Sequence, residues 1–360
     1  MDSEQNDRPP LPLSNEQQPA PAPRPAGPPP ATPPYVVYQT PPRQGSGWRI
    51  LGRLLFALSV LANIGLVILL FSVIFVMFAG GAGTTYKAVL RKGPPDNKIA
   101  VINVDGLIDG GQAEEVYRQI EAARQDRTIK GLIIRVDSPG GTISASDRIY
   151  KEIRDYRRER GLPAVAFMQG IAASGGYYTS VACEKIIAEP TAITGSIGVV
   201  MMHFVFENLL ENKLGIQPVF LTKGAKKDWP SSFRAPSQEE LAYLQDRLLE
   251  PSYQRFVSVV KEGRQEVLSA GEVEKLADGS IFVADQALQV KLIDQVGYLD
   301  DAIATVQAMA GIEDAQVIEY RRPFSLFGLL SAKSGPFPKL DRKTLFEFGT
   351  PQILYLWHAY

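Results

Sequence analysis

A layered α/β domain behind one membrane-spanning helix is the fold class this sequence predicts. Three observations predict it. Strand-like and helix-like patterns alternate from residue 97 to residue 311. An uncharged apolar run of 25 residues, 54–78, precedes them. The proline excess, 14 of 27 prolines, is confined to residues 1–46.

Taken in order, residues 1–46 hold runs such as Pro28-Pro29-Pro30 with few large aliphatics and no period, which predicts a disordered, polyproline-leaning tail. Residues 54–78 contain one amide, Asn63, and no charge; at about 1.5 Å per residue they suffice to cross a hydrocarbon core of ~30 Å. A cleaved signal peptide would have a shorter apolar core nearer the N-terminus, although the small residues Ala79-Gly80-Gly81-Ala82-Gly83 keep that alternative open; Trp48 suits a membrane interface. Arg43, Arg49 and Arg53 precede it and Lys87, Arg91 and Lys92 follow it. Because Arg49 and Arg53 lie nearest, the expected orientation puts the tail inside and the main domain outside.

A linker is expected over 79–96 and a catalytic-sized domain over 97–311, with a C-terminal extension over 312–360. Within the domain, KIAVINVDGLI from Lys98, IKGLIIRVD from Ile129, PAVAFM from Pro163 and KIIAEP from Lys185 read as strands. Residues 114–124, 147–160 and 174–182 read as the helices between and after them, followed by a long helix over 239–262 and another over 284–294. Phe324, Phe327 and the terminal Ile-Leu-Tyr-Leu-Trp of the extension are expected first to dock on the body.

The composition narrows the chemistry. A net charge of −1 argues against a nucleic-acid partner, which usually meets a basic excess. One cysteine, Cys183, excludes an internal disulfide and a Cys-rich zinc site. Two histidines, His203 and His358, leave little room for imidazole-based metal or triad chemistry: the first lies in an apolar run and the second almost at the C-terminus. No metal and no cofactor is expected.

Two glycine-rich turns attract attention. Asp137-Ser138-Pro139-Gly140-Gly141-Thr142 follows an apolar strand, and paired glycines there leave backbone N–H groups uncovered for an anion or oxyanion. An ordinary strand-to-helix turn explains the same residues. The lysine of a phosphate loop is missing. In Gly170-Ile171-Ala172-Ala173-Ser174-Gly175-Gly176-Tyr177-Tyr178, small residues on both sides of Ser174 would let a carbonyl approach its Oγ, and equally would permit close helix packing. A nucleophilic serine needs a base. With no well-placed histidine the search moves to lysine, whose ordinary pKa near 10.4 must fall through burial or a nearby cation. Thr222-Lys223-Gly224-Ala225-Lys226-Lys227-Asp228-Trp229 offers clustered lysines beside an indole, and also reads as a solvated basic loop.

In combination, SPGG, then AASGGYY, then TGSIGV from Thr194, then GAKKD resemble the signal peptide peptidase A (protease IV) family, membrane-anchored serine proteases of the Clp-protease/crotonase superfamily. The resemblance runs from about Ile99 to Ile303. It implies a crotonase/Clp-protease-like layered ββα superhelix. It makes Ser174 the nucleophile, Lys227 the general base, and Gly141 and Gly175 the oxyanion-hole donors, with Ser196 as a possible support for the lysine. The family's Gly-Arg is absent near Asp278-Gly279-Ser280. The resemblance further implies a homo-oligomeric ring on a bacterial membrane in which the lysine of one protomer completes the site of its neighbour. The implied substrates are remnant signal peptides and other hydrophobic peptides. The rival readings are a catalytically silent membrane scaffold of the same fold and a crotonase-type acyl-CoA enzyme.

Overall fold

A computed structural model describes residues 47–80, 86–321 and 352–357. The proline-rich tail, Phe324, Phe327 and His358 lie outside the described residues. Helix α1 spans Gly47–Gly80 and begins seven residues before the apolar run, because Trp48, Ile50 and Leu51 continue its apolar surface through Arg49 and Arg53. At 34 residues it is about 50 Å long and exceeds the ~30 Å hydrocarbon thickness. Its side chains over 47–75 are exposed throughout.

The body is built from β1 (Tyr86–Arg91), β2 (Lys98–Ile108), α2 (Gly110–Gln125), β3 (Ile129–Thr142), α3 (Ile143–Arg160), β4 (Ala164–Ala173), α4 (Gly175–Ser180), β5 (Lys185–Ala188), β6 (Ile193–Gly195) and β7 (Val200–Met202). Then follow α5 (Gln238–Leu244), α6 (Glu250–Gly263), α7 (Ala270–Leu276), β8 (Ile281–Val283), α8 (Ala284–Gln289), β9 (Gln295–Val296), α9 (Leu299–Ala310), β10 (Gln316–Arg321) and β11 (Gln352–Leu356). A π-helical turn over Gln245–Leu249 joins α5 to α6, so the long helix expected over 239–262 is one continuous rod with a changed pitch in its middle. The helix expected over 284–294 stops at Gln289, where Lys291 adopts φ 62°.

The strands pair in the order β1-β10-β2-β3-β4-β5-β9, and β2, β3, β4, β5 and β9 run parallel. The alternation of side chains along each strand sorts the core into two faces. Ala100, Ile102, Ile134 and Ala166 pack under α2, α3 and α4, while Ile99, Val101, Ile133, Val165 and Phe167 meet Ile303 and Val306 of α9. Burial on both faces is why these strands read as continuous apolar runs.

The sheet is interrupted at one level. The β2–β3 register shifts between Asp105 and Leu107, where Gly106 takes φ +70°, and the β3–β4 register shifts between Val136 and Ser138. Beyond this bulge the strand ends form a second run: β4 pairs β6, β6 pairs β8, and the end of β3 pairs β11, which also pairs β7. Both margins outside residues 97–311 thus contribute strands. β1 pairs β10, β10 pairs β2, and β11 enters the second run. The terminal apolar stretch is therefore a strand of the body's own sheet.

Candidate active site

The bulge places the two glycine turns against each other. Ser138 accepts the Gly140 N–H at 3.0 Å and donates to the Gly106 carbonyl at 2.5 Å, bracing the first turn on β2. Gly140 adopts φ +102°; a Cβ there would stand 2.7 Å from the Gly175 nitrogen. A Cβ on Gly175 would stand 2.6 Å from Ser146 Oγ and 3.0 Å from the Gly140 Cα, and one on Gly176 2.8 Å from the Ser138 carbonyl oxygen. The two glycine pairs are in backbone-to-backbone contact, which no side chain would permit.

Ser174 sits at that junction, between the end of β4 and the start of α4. It is buried and holds φ 54°, ψ −114°, a region costly for a residue with a Cβ. Neighbouring bonds enforce the strain: the Ser174 N–H donates to the Gly195 carbonyl at 2.8 Å, its carbonyl accepts from Tyr178 at 2.8 Å, and Thr194 Oγ1 donates to the Ala172 carbonyl at 2.7 Å. Ser196, the expected support, also has a positive φ, 51°, and its N–H donates to the Ser280 carbonyl at 2.7 Å. Helix α4 begins after Ser174 and has only six residues, shorter than the helix expected over 174–182.

A cavity of about 430 Å³ opens beside these groups, its wall shared by Ser174, Ser196, Val200, Tyr253, Gly279 and Leu356. The structure thus brings together Ser174, Gly175, the Gly140-Gly141 pair and Ser196. It does not bring Lys227 to that wall. Lys227 is exposed on a turn closed by its own N–H to the Gly224 carbonyl at 3.1 Å, with Gly224 at φ +113°. His203 is half-buried, with Nε2 3.0 Å from the Ser231 carbonyl oxygen, and stands outside the cavity wall. Among the described residues no cluster of His, Cys, Asp and Glu suits a metal ion.

Two features were not visible in the motifs. The first is β11 beside the SPGG turn. The second is an aromatic pocket: Tyr178, already quoted within AASGGYY, stacks on Tyr355 at 5.0 Å between ring centres, and Phe256 meets Tyr355 at 4.7 Å. Tyr178 donates its hydroxyl to Asp147 at 2.5 Å, and burial together with that carboxylate pushes the phenol's pKa well up.

Two family models match the body. The Clp protease model covers residues 97–194, and the model of peptidase family S49 covers residues 156–313. The chain is a serine peptidase of the Clp-protease-like α/β fold. Its relatives are specific: it is 35% identical over 252 residues to a putative signal peptide peptidase SppA of Enterococcus faecium, covering 67% of this chain and 72% of that one. It is 36% identical to a putative protease of a Synechocystis strain over 61% of this chain and 77% of that one. It is also 36% identical to protease 4 of Haemophilus influenzae over 58% of this chain, but spans only 34% of that longer protein. The chain belongs to peptidase family S49, the signal peptide peptidase A (protease IV) family.

Proposed function

We propose that this chain is a membrane-anchored endopeptidase working through a serine–lysine dyad, Ser174 and Lys227, on remnant signal peptides and other hydrophobic peptides. One observation carries the nucleophile: Ser174 is the residue held at positive φ where the two glycine pairs meet, beside an open cavity. Such strain persists only where the surroundings impose it, and it concentrates at functional sites. Neutral Lys227 takes the Ser174 proton as Oγ attacks the scissile carbonyl. The Gly141 and Gly175 N–H groups receive the oxyanion, and the lysinium then protonates the leaving amine. Water hydrolyses the acyl-enzyme.

The position of Lys227 supports a site shared between protomers. It is not among the residues lining the Ser174 cavity of its own chain, so a neighbour's lysine is the natural base, and a homo-oligomeric ring supplies it. The same ring would bury the amine and lower its pKa. Helix α1 is long and apolar enough to anchor the chain in a bacterial membrane, and Arg49 and Arg53 favour a cytoplasmic tail with the peptidase body outside.

A fluorophosphonate probe on membranes holding the wild type, Ser174→Ala or Lys227→Ala tests this, with protease protection on the same sample. Labelling and peptide cleavage are expected in the wild type only, with the body accessible from the extracytoplasmic side. Near-normal cleavage by either variant would overturn the dyad. A well-folded wild type that takes up no probe would favour a silent scaffold.

A further inference from the structure

The turn that carries Lys227 is tied to α5 by one arginine. Arg234 lies seven residues beyond Lys227, and its guanidinium reaches in two directions. One nitrogen, Nη2, donates to Asp228 at 3.2 Å and the other, Nη1, to Glu240 at 2.6 Å. Glu240 is fully buried in the first turn of α5. Its carboxylate also accepts the Ser237 N–H at 3.4 Å, while Ser237 Oγ accepts the Glu240 N–H at 3.2 Å, a reciprocal capping box. One end of the clamp is therefore fixed by a helix start and the other by the carboxylate that adjoins Lys227. Arginine suits this bridge, because its rigid fork of donors can hold two carboxylates in fixed directions where a lysine offers a single point charge.

The same clamp orders the charges around Lys227. Its own turn carries Lys223, Lys226 and Asp228; Arg234 follows; α5 presents Glu239, Glu240 and Tyr243; and Glu207 reaches in from the segment after β7. Every carboxylate in this set has a partner other than Lys227. Glu239 meets Lys226 at 3.2 Å, Asp228 and Glu240 share Arg234, and Glu207 accepts the Ala235 N–H at 3.1 Å. The Tyr243 ring is taken by the Lys226 ammonium at 4.7 Å. A lysine that must be neutral to accept a proton needs such an arrangement, because a free carboxylate within reach favours the charged amine. Asp228 is the carboxylate best placed to do that harm, since consecutive Cα atoms are only about 3.8 Å apart.

We propose that Arg234 is a positioning residue for the base: by holding Asp228 and Glu240 in one clamp it fixes the Lys227 turn on α5 and keeps the Asp228 carboxylate off the Lys227 amine. The amine is then free to meet the nucleophile of a neighbouring copy. Arg234 is not in the wall of the Ser174 cavity and acts only through Asp228 and the turn. This proposal rests on the assignment of Lys227 as general base.

The test follows the rate of fluorophosphonate labelling at Ser174 against pH, with the full chain in detergent. Glu240→Gln is the reference background, because glutamine retains the capping box and leaves no unpaired buried charge when Arg234 is changed. In that background Arg234→Gln frees Asp228 to pair with Lys227. The half-maximal pH of labelling should rise by about one unit, the effect of a carboxylate ~4 Å from an amine in a solvated site. Adding Asp228→Asn should return it to the reference value. A merely structural role predicts an equal loss of rate at every pH, unrepaired by Asp228→Asn, and that result would overturn the proposal. Should the Arg234 variants fail to fold, as a thermal melt would show, Asp228→Asn in the otherwise unchanged chain decides. It leaves the Arg234 charge less compensated and should lower the half-maximal pH; a rise or no change would overturn the proposal. Lys227→Ala separates this proposal from the reading beneath it. Labelling of that variant at the wild-type rate would remove the base assignment, and the clamp's role with it. A silent Lys227→Ala beside an unmoved half-maximal pH in the Arg234 variants would overturn the clamp alone.

Discussion

Lys226 holds its ammonium 3.8 Å above the Trp229 ring, and this contact separates it from its neighbour Lys227. The same ammonium lies 4.7 Å from the Tyr243 ring and 3.2 Å from Glu239 at the start of α5. Arg234 pairs with Asp228 at 3.2 Å and with buried Glu240 at 2.6 Å. The residues on both sides of Lys227 are thus tied to the start of α5, while Lys227 itself forms no ion pair among the described residues. Lys227→Ala is expected to abolish peptide cleavage. Lys226→Ala should only slow it, because an exposed cation–π contact contributes about 0.5–1 kcal/mol to holding the turn. Cleavage rates of the two purified variants check the difference; equal loss in both would point to Lys226 as a base in its own right.

Ser174 gives a prediction about strain that is independent of activity. Both Ser174→Ala and Ser174→Gly remove the hydroxyl, yet only alanine keeps a Cβ at φ 54°. Glycine should be the more stable of the two by about 1 kcal/mol, against its usual entropic disadvantage. Chemical denaturation of the pair measures this, and a less stable glycine variant would contradict the strained geometry.

Gly175→Ala should damage catalysis far more than folding. Its Cβ would meet Ser146 Oγ, a side chain able to move, but would also press on the Gly140 Cα and so shift the proposed oxyanion donors Gly141 and Gly175 against each other. Loss of one such donor typically costs about 10²–10³ in kcat. Steady-state rates beside a thermal melt separate the two effects; a melt that collapses with the rate would show that the glycine is needed chiefly for packing.

Stability at acid pH should depend on Asp126, which caps the turn between α2 and β3. Burial alone would raise its pKa, but hydrogen bonds from Thr128 and Lys87 outweigh that and hold it at about 2, below the ordinary 3.8. A carboxyl depressed on folding stabilises the native state above its unfolded pKa, and the contribution is lost as pH falls through the folded value. The difference corresponds to roughly 2 kcal/mol. Asp126→Asn should therefore be less stable than the wild type at neutral pH, and the gap should close between pH ~4 and pH ~2. Denaturation curves across that window decide it.

The central strands were legible because residues such as Ile99 to Ile102 and Leu132 to Ile134 are apolar without interruption, the signature of strands covered on both faces. The glycine turns were legible for a similar reason: paired glycines flanking a serine are a local signal, and the motifs they belong to are specific in combination. Element ends were less so. Nothing local announced that α4 would stop at Ser180 or that the rod through α5 and α6 would change pitch at Gln245.

What the linear chain decided by itself was chemistry of short range: which runs are apolar, where backbone must turn left-handed, and which serine stands among glycines. What only the tertiary structure decided was long-range pairing. Tyr355 reaches the SPGG turn across more than 200 residues of chain, and β10 joins β2 across a similar span. A five-residue apolar strand satisfies any open sheet edge about equally well, because backbone hydrogen bonds carry no sequence. Its address is set by the pocket that accepts Tyr355 and by the glycines that leave room for its carbonyl, and those exist only once the body has folded.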